Sequence, residues 1–117
     1  MSMFMRKRDI EYTEKVGSRR SLSLTLTDDT GATIDMSSVS TYSSGKWKVW
    51  KPDGTLLING TLTFVTRSTG LVAYTLVASD TVIANAGIWE GEVEILDDES
   101  TMVVQSKTFT FTIIESY

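Results

Sequence analysis

The chain has 117 residues, a length that suits one domain and not two. Hydrophobic residues make up 41% and charged residues 22%, the balance of a globular protein and not of a disordered one. A net charge of -4 argues against nucleic acid, which wants a basic face, and the lack of cysteine excludes disulfides and thiolate metal sites.

The first eight residues, MSMFMRKR, stand apart as an arm of methionines, Phe4 and three basic residues. Their charges follow the apolar residues, and no apolar run of ~7–15 residues comes next, so they do not read as a secretory signal. No window approaches the ~18 apolar residues of a membrane span. The expectation is a chain made in the cytoplasm, without export or a membrane partner. Residues 1–8 are taken as the arm and 9–117 as the domain.

Alternation of apolar with Ser, Thr or charged residues, at period two, dominates the rest of the chain. In Ser21 to Thr27, Leu22, Leu24 and Leu26 share one face, and Asp28-Asp29-Thr30-Gly31 supplies a turn. Lys46 to Trp50 places Trp47 and Val49 on one face, and Lys46, Lys48 and Trp50 on the other. Pro52-Asp53-Gly54 ends that strand. Leu56 to Ile58 and Thr61 to Thr66 flank Asn59-Gly60, a pair that predicts a two-residue hairpin. Leu71 to Val77 returns after Arg67-Ser68-Thr69-Gly70. From Ala78 to Ala86 the rhythm breaks. Ser79 or Asp80 is expected to cap one helical turn through Ile83, with Gly87 ending it. Trp89 to Ile95, Met102 to Val104 and Thr108 to Ile113 complete the alternation, with Asp97 to Ser100 as a polar turn. About seven to nine strands with regular turns predict an all-β, immunoglobulin-like antiparallel sandwich.

Chemistry is harder to place. The chain has no histidine, which removes the commonest general base and metal ligand. No serine sits in a G-x-S-x-G elbow, and no glycine-rich phosphate loop is present. Neither a catalytic site nor a metal or cofactor is expected, and the chain is read as no enzyme. Glu90, Glu92 and Glu94 share a strand face and are read as solvated, with Lys46 and Lys48 facing them across strands. Asp28, Asp29 and Asp35, and likewise Asp97, Asp98 and Glu99, are read as turn residues and not calcium ligands. Asn59-Gly60-Thr61 matches a glycosylation acceptor, which the hairpin reading makes coincidental. Trp47 and Trp89 are expected in the core. Trp50, on the outward parity, is a candidate interface anchor or simply a cover over the sandwich edge. With Tyr42 it is also the one candidate sugar-stacking pair.

Four segments carry a family resemblance. They are Leu22 to Gly31 with Ala32 to Met36, Trp47 to Thr55, Thr69 to Leu76, and Ser79-Asp80-Thr81 with Ala86 to Val93. In this order they resemble the immunoglobulin-like domain at the start of phage baseplate upper proteins and related tail-associated proteins. The resemblance covers about four fifths of the chain. It implies a sandwich that attaches to the virion and positions neighbouring subunits, with no catalytic residues. In those larger proteins further regions follow, whereas this sequence stops at Tyr117, which widens the expectation to tail, neck, fibre or capsid. The expected function is structural: a multi-copy virion component acting by protein contacts through Phe4, Arg6, Arg8 and Trp50. The alternatives are a carbohydrate-binding module that holds a surface glycan, and a capsid decoration protein.

Overall fold

The computed structural model describes residues 10–51, 53–106 and 108–115. Phe4, Arg6 and Arg8 therefore lie outside the described residues. Nine strands run through the described chain: β1 (Glu11–Lys15), β2 (Ser21–Thr25), β3 (Ser44–Trp50), β4 (Leu56–Thr61), β5 (Thr63–Thr66), β6 (Leu71–Thr75), β7 (Gly87–Leu96), β8 (Met102–Gln105) and β9 (Phe109–Ile114).

They form two sheets. The larger has the order β1-β9-β7-β3-β4, with β8 also on β7, and the smaller the order β2-β6-β5. This is an immunoglobulin-like sandwich, as the alternation predicts. β1 joins β9 in parallel, while the other pairings are antiparallel. β8 and β9 are two halves of one interrupted strand. Both lie on the same side of β7, β8 beside Glu94–Leu96 and β9 beside Gly87–Gly91. The interruption falls at Ser106, whose hydroxyl accepts the Val93 N–H at 2.8 Å and whose own N–H donates to the Val93 carbonyl at 2.9 Å.

Alternation explains the core. Leu22 and Leu24 of β2, Trp47 and Val49 of β3, Val93 and Ile95 of β7, and Phe109, Phe111 and Ile113 of β9 all point inward and are buried. Burying each such side chain contributes about 1.5–3 kcal/mol. At the centre, Trp47 stacks on Tyr74 at 6.1 Å and lies against Phe109 at 4.9 Å. Tyr12 meets both Trp47 and Phe109 edge-on.

Three expectations are corrected. Asn59-Gly60 is not a hairpin turn: both residues lie inside β4, and Gly60 pairs with Trp47. A Cβ at Gly60 would collide with the Tyr74 ring, so glycine is there to admit an aromatic side chain. The chain crosses from one sheet to the other between β4 and β5, pivoting on buried Leu62, whose N–H bonds the Gly45 carbonyl at 3.1 Å. The single helical turn is two 3-10 turns, Ala78–Thr81 and Ile83–Asn85, parted by extended Val82. Asp80 sits within the first turn, and its carboxylate accepts the Val77 N–H at 2.9 Å. Gly87 opens β7 instead of ending a helix. Beyond these corrections, β1 is a strand that the alternation did not mark.

Candidate docking surface

β3 and β7 lie side by side at the middle of the larger sheet, in the register Lys46–Glu94, Lys48–Glu92 and Trp50–Glu90. Each outward lysine thus faces a glutamate, as the sequence pattern implied. The Lys48 ammonium reaches diagonally to Glu94 at 2.9 Å. Gln105 of β8 donates to Glu92 at 2.7 Å, and Lys46 donates to the Thr61 hydroxyl at 3.4 Å. A ladder of charge and hydroxyl groups therefore crosses the outer face of four strands. Its members satisfy one another, and each pair contributes only about 0.2–1 kcal/mol.

Trp50 closes that ladder at one end. It is half-buried, paired with Glu90 on one side and Leu56 on the other, where a bulge interrupts the β3–β4 register. Leu56 is 47% exposed, and Ile88, on the same outward parity as Glu90, is 66% exposed. This end of the outer face thus carries solvent-facing apolar side chains, whereas its middle is charged. Ile88 was legible in the sequence as the apolar residue preceding Trp89 on the glutamate parity.

Tyr42 does not join Trp50. It lies before β3, half-buried against the core, eight residues from Trp50, which corresponds to about 26 Å along an extended strand. No sugar platform is formed by this pair. Trp89 is packed on the core but only half-buried. Its indole N–H donates to the Asn85 carbonyl at 2.8 Å, and the Lys51 ammonium sits 5.3 Å from its ring centre.

The buried polar groups hold loops in place. Tyr74 donates to Asp80 at 2.7 Å, so the β6–β7 connection is tied to the core. Burial, reinforced by the Asp80 carboxylate, pushes the Tyr74 phenol well above its ordinary range. Tyr12 donates to the Ser23 carbonyl at 2.6 Å, bridging β1 to the opposite sheet, and burial pushes its phenol up to about 12. Glu14 is buried in β1. Burial alone would raise its pKa, but hydrogen bonds from Arg20 and Ser18 and the Arg20 charge together carry it below the usual carboxylate range. Thr81 completes this end by donating to the Ser18 carbonyl at 3.0 Å. At the opposite end, Arg67 donates to the carbonyls of Met36 and Tyr42, at 3.1 and 2.7 Å, and pins the long β2–β3 connection.

The acidic loops serve their own backbone. Asp28 accepts from Thr30 and Ala32, Asp35 from Ser37, Asp53 from Thr55, and Asp97 from Glu99 and Thr101. Hydrogen bonds from Thr30, Ser37 and Thr55 hold Asp28, Asp35 and Asp53 below the ordinary carboxylate range. Among the described residues, no three Asp or Glu side chains converge in a way that would hold a metal ion.

No family model and no curated protein sequence matches the chain. Solved structures do. The N-terminal domain of phage TP901-1 ORF48 superposes with a TM-score of 0.66 over 92% of this chain and 85% of that one, at 6% identity. CopC from Methylosinus trichosporium OB3b reaches 0.51 over 90% and 86%, at 10% identity. Fibronectin(III)-like modules of Clostridium thermocellum CbhA give 0.46 over 96% of both chains, at 14% identity. At such identities the likeness is one of fold. The immunoglobulin-like fold that the family resemblance implied is present, and a phage protein domain shares it.

Proposed function

We propose that this domain is a structural component of a bacteriophage particle that works by protein–protein contact and not by catalysis. The observation that supports the reading most is the sandwich shared, over nearly the whole chain, with the N-terminal domain of a phage protein. The surface is consistent with that role. Its turn carboxylates are occupied by backbone amides, and its outer face ends in apolar side chains around Trp50. In this reading the rigid sandwich presents Trp50, Leu56 and Ile88 to a neighbouring subunit of the tail, baseplate or neck. The charged ladder beside them sets orientation, because mispaired charges across an interface are costly.

Particles purified from a host that produces this chain test the proposal. The chain should be found in them at a fixed ratio to the major structural proteins. Trp50→Ala should lower its incorporation about tenfold or more while the purified variant stays folded, as expected for an aromatic anchor. Absence of the chain from particles overturns the proposal.

A further inference from the structure

Asn59-Gly60 turns no corner in this fold, yet the pair carries chemistry of its own. When the main-chain nitrogen after an asparagine loses its proton, it attacks the side-chain amide carbon and closes a five-membered imide. Glycine obstructs that attack least, because it has no Cβ and its backbone bends freely. The chain's other asparagine, Asn85, precedes Ala86 and lacks that freedom. Asn59 is exposed, and glycine is fixed after it, since a Cβ at position 60 would collide with the Tyr74 ring. The packing of the two sheets thus holds a reactive dipeptide where no turn requires one.

The strand ladder keeps it silent. The Leu62 N–H bonds the Gly45 carbonyl at 3.1 Å, and hydrogen-bonded pairs alternate along an antiparallel ladder. The next such pair is Gly60 with Trp47, so the Gly60 nitrogen keeps its proton on the Trp47 carbonyl. Ring closure also needs the Asn59 Cβ and the Gly60 nitrogen nearly eclipsed about the Cα–C bond, and an extended strand holds them far from that arrangement. The protection depends on one neighbour. Among the described residues β4 ends the larger sheet and pairs with β3 alone, so lifting β4 from β3 frees the dipeptide.

We propose that Asn59 is a fold-gated modification site, silent while β4 lies on β3 and converted with loss of ammonia when that strand lifts. A bond forms between the Gly60 nitrogen and the Asn59 Cγ, the Cγ–Nδ2 bond breaks, and the Gly60 proton leaves with the side-chain nitrogen as ammonia. Water then opens the imide at either carbonyl, giving aspartate or isoaspartate, with no oxidant or reductant consumed. Both products change the edge. Aspartate sets a carboxylate beside Lys48, whose ammonium already pairs with Glu94 at 2.9 Å. Isoaspartate adds a methylene to the main chain, which puts Gly60 out of step with Trp47 and with the Tyr74 ring. A single opening of β4 is thereby recorded in the covalent chain.

Peptide mapping by mass spectrometry, which resolves the gain in mass from amide to acid, tests this on the full chain in mildly alkaline buffer. Asn59 should convert about a hundredfold or more faster in guanidinium than in the folded protein, and faster there than Asn85. Ile58→Ala loosens the buried side of β4 without touching the dipeptide and should raise the folded-state rate about tenfold. Should that variant fail to fold, urea below the unfolding transition does the same to the unsubstituted chain. Conversion of Asn59 should then rise in step with hydrogen exchange at the Gly60 amide. Equal rates in the folded and unfolded chain overturn the gate, as does an unchanged rate in folded Ile58→Ala. Conversion of unfolded Asn59 no faster than Asn85 overturns the chemistry, and Gly60 exchange that rises without conversion overturns the link between them.

Discussion

The two faces of the larger sheet are built from the same strands with opposite chemistry. On the inner face, Trp47, Val49, Val93, Ile95, Phe109 and Phe111 are closed off from water. On the outer face, the residues between them are Lys46, Lys48, Glu92, Glu94 and Thr110, one step along each strand. The inner face holds the fold by burial, which is strong and nondirectional. The outer face contributes little stability but fixes which strand lies beside which, because a one-residue slip would bury charges. In this sheet, burial on one face supplies stability and the charged pairs on the other supply register.

That contrast can be broken most sharply from within. Trp47→Ala should cost about 3–5 kcal/mol, since it empties the centre of the aromatic cluster. Denaturant unfolding monitored by circular dichroism measures it, and a loss below about 1 kcal/mol would place the core elsewhere. Next, Gly60→Ala should cost about 1–3 kcal/mol by forcing a methyl group into the Tyr74 ring, whereas Asn59→Ala, exposed on the other parity, should be nearly neutral. Equal effects would restore the turn reading of that pair. Asp80→Ala leaves the Tyr74 hydroxyl and the Val77 N–H without their acceptor and should cost about 1–3 kcal/mol. Lys48→Ala on the outer face should cost no more than about 1 kcal/mol, and less at high salt.

Acid supplies a graded test of the sheet edge. The folded state holds the Glu14 carboxyl below its ordinary range, so the unfolded chain binds its proton more readily. The stability that Glu14 contributes is present above the unfolded carboxylate pKa and is lost as pH falls through the folded one. The difference in unfolding free energy between the natural chain and Glu14→Gln should therefore shrink on acidification. A difference that grows would reverse the assigned sign.

Most of the sandwich was legible, because β2, β3, β7 and β9 alternate cleanly. β1 was not. Its inward positions are Tyr12 and Glu14, and a carboxylate at a core position erases the alternation that marks a strand. Only the fold brings Arg20 and Ser18 to that carboxylate. Asn59-Gly60 misled for a related reason. Glycine is chosen both for turns and for close approach, and the Tyr74 ring that decides between them lies in the other sheet. Of the candidate site residues, Trp50 was placed by parity alone. Its neighbours Leu56 and Ile88 come from strands on either side and required the register.

By itself, the sequence determined the class of fold, the strands that alternate, the face each side chain takes and the absence of histidine and thiol chemistry. Those are local properties, set by the period of the chain and its composition. The tertiary structure alone decided that the chain passes from β4 in one sheet to β5 in the other without a turn at Asn59-Gly60, that a buried glutamate has its arginine, and that among the described strands β8 is left uncovered while β9 is not. Each of these depends on which distant segments meet, and the energy of such meetings is written in no single stretch of residues.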